Sequence, residues 1–146
     1  MDNKLEYIPE DLVKSDNNPK ILLKVRDLIK GKRGDVLYRL VAAEDNDVVI
    51  YLSEHQITPI PLTPEILKKN GWKQNGGQYS FTYKSYAGDK VELIGFFIEM
   101  FKDVHDMLKH RYFQITHEDK VICGCFYVHQ LQHHLFGLGI NHEMEV

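Results

Sequence analysis

Asp35-Val36-Leu37-Tyr38-Arg39-Leu40-Val41-Ala42-Ala43-Glu44-Asp45-Asn46-Asp47-Val48-Val49-Ile50-Tyr51-Leu52 is the stretch on which the fold turns. Val36, Tyr38, Leu40 and Ala42 alternate with Leu37, Arg39 and Val41, the two-residue period of a strand with one buried face. Val48 to Leu52 is β-branched and apolar, and the acidic run Glu44 to Asp47 has the length and polarity of a hairpin turn. These residues predict a β-hairpin over 35–43 and 48–53. Lys32-Arg33-Gly34 turns the chain just before it.

On the N-terminal side of the hairpin, Asn18-Pro19 has the form of a helix N-cap followed by its first residue. Ile21, Leu22, Val25, Leu28 and Ile29 fall on one face of a helical template, and Lys30 and Gly31 suit its end. This predicts a helix over 19–30. Residues 1–18 are polar, carry Asp16-Asn17-Asn18, and read as a flexible arm.

On the C-terminal side, Pro59, Pro61 and Pro64 exclude a central strand and favour an extended connector. Thr63 and Pro64 start a short helix over 64–70, which Gly71 ends, with Trp72 folded back onto Leu67. Tyr79, Phe81 and Tyr83 alternate with polar residues as a half-buried strand, with Val91 to Ile98 as its antiparallel partner. Residues 99–109 are ambiguous: Met100, Phe101, Val104, Met107 and Leu108 fit a helical template. Tyr112 to Thr116 and Val121 to Cys125 read as short strands about the turn His117-Glu118-Asp119. Phe126 to Leu138 is the clearest helix, with Val128, Leu131, Leu135 and Leu138 on one face. The expected fold is therefore α+β. A flexible arm (1–18) precedes a small helix plus β-hairpin unit (19–56). An α+β unit (57–146) follows, its antiparallel sheet packed by helices.

At 146 residues the chain suffices for one self-supporting core, and a formal net charge of −3 argues against a dedicated nucleic-acid coat. With 43% hydrophobic and 27% charged residues it is too apolar for a disordered chain. Cys123 and Cys125 are its two cysteines, too close in sequence to frame a secreted disulfide scaffold. The N-terminus lacks an apolar signal segment and no run approaches the ~20 residues of a spanning helix. A cytoplasmic address, no membrane and no cofactor are expected.

Three groups of residues are candidates for function. His129, His133 and Phe136 share one side of the last helix, opposite its leucines, and would form a protein-contact or self-association surface if that side is uncovered. Lys24, Arg26, Lys30, Lys32 and Arg33 crowd one segment and, helped by Tyr38, would suit a nucleic acid or nucleotide. Cys123, Cys125, His129 and His133 offer four donors within eleven residues, the number zinc needs but not its usual spacing. Cys125 with His129 would serve a thiol enzyme if the thiol were activated. The chain has no phosphate-binding glycine loop and no G-x-S-x-G motif.

Ile57-Thr58-Pro59-Ile60-Pro61-Leu62-Thr63-Pro64-Glu65-Ile66-Leu67-Lys68-Lys69-Asn70-Gly71-Trp72 resembles the I-x-P-I-P-L-T-x-E-x-L-x-K-x-G-F segment of a family of small uncharacterised proteins. Tyr127-Val128-His129-Gln130-Leu131-Gln132 resembles the helix that ends them. That family is found in Bacteroidetes, their phages and mobile elements, and the resemblance spans roughly residues 27 to 140. It implies a phage or mobile-element setting, in host cytoplasm or virion, and a two-part layout with a β unit first. It implies no activity. His133 and His134 depart from the family pattern. The function expected is a non-catalytic accessory or adaptor role exercised through protein contacts.

Overall fold

A computed structural model describes residues 7–85, 87–101 and 109–146. Among these, ten strands form two five-stranded antiparallel sheets, accompanied by two α-helices. The sheet-rich balance, with strand over 52% of the described residues and helix over 15%, departs from the expected helix-covered α+β layout. The chain divides into two units. The first takes in Met1–Ile60 and Tyr127–Glu143, the second Pro61–Phe126 and Met144–Val146. The expected boundary at 56/57 thus falls at 60/61, and the last helix belongs to the first unit.

In the first unit, β1 (Leu12–Ser15), β2 (Leu22–Lys30), β3 (Val36–Ala42), β4 (Asp45–Ser53) and β5 (Ile57–Pro59) lie in the order β4-β3-β2-β1-β5. β3 and β4 are the predicted hairpin, with a register shift where Val41 and Ala42 meet β4. A short 3-10 turn over Glu54–Gln56 leads into β5, which returns to pair with β1.

Two expectations fail here. The arm over 1–18 is, from Tyr7 onward, built into the sheet: β1 lies between β2 and β5, and Leu12 and Val13 are buried. The helix over 19–30 is instead strand β2. Asn18-Pro19 opens a reverse turn, closed by Ile21 N–H donating to Asn18 O at 3.2 Å, with Pro19 in the second position. The helical look of β2 has a physical cause. A bulge between Val25 and Asp27 adds a residue, so Leu23, Val25 and Leu28 all reach the core at uneven spacing. The three-residue step from Val25 to Leu28 is one that a helix would also give.

The second unit orders β6 (Lys73–Asn75), β7 (Gln78–Lys84), β8 (Lys90–Phe101), β9 (Lys109–His117) and β10 (Lys120–Cys125) as β10-β9-β8-β7-β6. Helix α1 (Pro64–Lys69) opens it. Its start is as predicted: Thr63 Oγ1 accepts from Ile66 N–H at 3.3 Å and Pro64 is the first helical residue. So is its end. Gly71 takes φ +91°, and Trp72 N–H donates to Leu67 O at 3.1 Å in a Schellman closure. Trp72 then packs on Phe81 and Phe113, and Phe113 on Tyr79 and Phe97. Glu118 and Asp119 both have positive φ in the two-residue turn joining β9 to β10. Of the ambiguous span 99–109, β8 holds residues up to Phe101 and β9 begins at Lys109; 102–108 lie outside the described residues. No helix among the described residues is long and apolar enough to cross a membrane.

Candidate functional site

The first unit gathers most of the candidate residues. Helix α2 (Val128–Gly137) turns Val128, Leu131 and Leu135 inward, as its spacing predicts. It also buries His129 and Gln132, because residues 7–12 cover its second side. Tyr7 lies edge-on to Tyr38 at 5.6 Å and 4.9 Å from the His129 ring, while Tyr127 stacks on His129 at 5.9 Å. Gln132 Oε1 accepts from Leu12 N–H at 2.9 Å, and its Nε2 donates to Glu10 O (2.8 Å) and His142 O (3.0 Å). One amide thus ties β1, Glu10 just upstream of it and the C-terminal tail together.

Beside it, the fully buried Asp11 carboxylate meets His133. Oδ2 lies 2.6 Å from His133 Nε2 and accepts from Ile8 N–H at 2.9 Å, while Oδ1 is buried with no hydrogen-bond partner. Glu10, at φ +75°, is held in this strained conformation by its backbone bond to Val25 and by Gln132. A carboxylate behind an imidazole can orient the ring and exchange a proton with it. Here the pair bridges the N-terminal segment to α2. Asp11 escapes a sequence reading because nothing in its neighbourhood signals its partner, 122 positions away.

The other notable surface is the outer face of the first sheet. Register places Ile29, Leu37 and Ser53 in one row, Asp27, Arg39 and Tyr51 in the next, and Lys24, Val41 and Val49 in a third. Tyr51 is 52% exposed, Ile29 47%, Val49 43% and Leu37 41%. The opposite face carries the core residues Val25, Tyr38, Leu40 and Leu52. In the middle of the outer face Arg39 grips Asp27 with two bonds, at 2.9 and 2.6 Å. The Arg39 guanidinium beside Asp27 holds its carboxyl below the usual carboxylate range, and Asp27 in turn raises Arg39.

The sequence candidates fare unevenly. His129 is interior, so it offers no contact surface; the uncovered helix side assumed for it is closed by Tyr7 and Tyr127. His133 is 30% exposed and committed to Asp11. Phe136 is open, at 59% exposure, with His142 edge-on at 5.0 Å. Of the basic residues, Lys24 and Arg26 both pair with Glu10, at 3.4 and 2.7 Å, and Tyr38 is buried under Tyr7, closed to any stacking ligand. Lys30, Lys32 and Arg33 stand exposed at the β2–β3 turn. The four thiol and imidazole donors fall in different units: Cys123 and Cys125 on β10 of the second, His129 and His133 on α2 of the first. A hydrogen bond with Cys123, reinforced by burial, pushes the Cys125 thiol far above its ordinary range. Burial and that bond both disfavour the thiolate that a nucleophile requires.

No family model, no curated protein and no solved structure matches this chain.

Proposed function

We propose that the protein is a non-catalytic accessory or adaptor that works through protein contacts, with the outer face of the first sheet as its contact surface. The observation that carries this reading is the set of four large apolar side chains, Ile29, Leu37, Val49 and Tyr51, exposed together on one sheet face. Scattered exposed apolar residues need no explanation, whereas a contiguous group on one face marks a surface that is covered in use. The chemistry of Cys125 and the commitments of Lys24, Arg26 and Tyr38 weigh against the enzyme and nucleic-acid readings. The phage or mobile-element setting rests on the two motif stretches alone.

The test is affinity capture from cells that express the protein. The wild-type chain is expected to retain a companion that Tyr51→Asp loses while keeping its melting temperature, since exposed substitutions rarely perturb folding. Identical retained proteins for the two chains would overturn the reading.

A further inference from the structure

We infer that the outer face of the first sheet is covered by a second copy of this chain, related by a two-fold axis. This rests on the contact-surface reading above and names its occupant. The argument is the distribution of charge along β3. The β2–β3 turn at one end of the strand exposes Lys30, Lys32 and Arg33, with Asp35 and Glu54 as the nearby acids. The β3–β4 turn at the other end exposes Glu44, Asp45 and Asp47, with Lys20 as the nearby exposed cation; Lys24 and Arg26 are already held by Glu10, and Arg26 also reaches Asn46. The two ends are about 23 Å apart, from seven residues of strand. Between them lie Ile29, Leu37, Val49 and Tyr51.

A face that is cationic at one end and anionic at the other, with exposed apolar side chains around the Asp27–Arg39 pair between them, is complementary to itself. An axis lying between two such sheets, perpendicular to the strands, sets the basic turn of each copy over the acidic turn of the other. It also lays the apolar side chains of one copy on those of its partner. This is the isologous arrangement that closed dimers require. The Asp27–Arg39 pair is satisfied within one chain, so it is covered with both its bonds intact. Contact by the strand edges is disfavoured: β4, one outer strand, has a register break opposite Ala42 and the charged Asp45 and Asp47, and β5, the other, has three residues and ends at Pro59. The copies therefore meet face to face.

Sedimentation velocity of the full chain from about 1 to 300 µM tests this, a range set for the small interface of a weak dimer. The wild-type mass is expected to rise from 17.1 kDa towards double that value. Tyr51→Asp is expected to hold it at the monomer. Reversing the basic turn (Lys32→Glu with Arg33→Glu) or the acidic turn (Asp45→Lys with Asp47→Lys) is expected to raise the dimer dissociation constant about tenfold. An equimolar mixture of the two reversed chains is expected to restore the dimer, a result that misfolding cannot give. A wild-type chain that stays monomeric overturns the inference. So does a dimer indifferent to Tyr51→Asp, or reversed chains that fail to recover on mixing. A monomeric chain that still captures a Tyr51-dependent companion overturns the second copy alone; one that captures none overturns the contact surface as well.

Discussion

Asp27 and Arg39 show how much a single residue's surroundings determine about it. Asp27 is exposed, yet its two bonds to Arg39 lower its pKa. A carboxylate whose folded pKa lies below its unfolded one contributes stability above the unfolded value and loses it as pH falls through the folded value. A carboxyl-carbon NMR titration is therefore expected to place Asp27 below ordinary aspartates, and Arg39→Ala to return it to their range. Gly95, in the middle of β8, makes a stronger demand. A Cβ there would strike the Phe113 ring, with two of its carbons at 2.6 and 2.7 Å. Phe113 is fully buried among Trp72, Tyr79 and Phe97, so it has little room to yield. Gly95→Ala is expected to destabilise the protein by about 3 kcal/mol, seen as a melting temperature lowered by about 6–12 °C. Gly137→Ala, whose Cβ would meet nothing within 4 Å, serves as the control and is expected to leave melting unchanged or slightly higher.

At the scale of elements, legibility follows the range of the interactions that specify each one. Helix α1 was fully readable because Thr63, Pro64, Gly71 and Trp72 act within one or two turns of it. The β3–β4 hairpin is readable because its two-residue period holds from Val36 to Leu40 and a polar turn follows it. Strand β2 was not: one bulge residue displaced its pattern, and Asn18-Pro19 serves a reverse turn as well as a helix start. Strand β1 was hidden because its polar neighbours signal a loop, while its partners lie in β5 and α2. The same long-range pairing governs the histidines, whose buried setting depends on Tyr7 and Asp11. The clamp at Gln132 is where β1 and α2 depend on each other most. Gln132→Leu removes three hydrogen bonds and leaves Leu12 N–H without its acceptor. An expected loss of about 2–4 kcal/mol would appear as a lowered urea midpoint, with faster amide exchange at Leu12.

For the whole molecule, the two motif stretches mark more than a resemblance. One lies where the chain leaves the first unit after Ile60, the other where it returns at Tyr127. Val128 N–H donates to Ile60 O at 2.8 Å, so the exit and re-entry points adjoin within the first unit. In the second unit Leu62 N–H donates to Phe126 O at 3.0 Å, closing that segment in the same way. Apart from its last three residues, Met144–Val146, the second unit is in this sense an insertion within the sequence of the first. The exposed apolar face of the first sheet, by contrast, is illegible in the sequence, because Leu37 and Tyr51 alternate as any half-buried strand would and only the register shows which face stays open. The insertion also imposes an order on synthesis. When Ile60 is added to the growing chain, the helix that completes its unit still ends 77 residues further on. At about 5–20 residues per second that is a wait of roughly 4–15 s. Throughout it Asp11 lacks its imidazole and Leu12 its amide acceptor, so the first sheet is made well before the helix that closes its core.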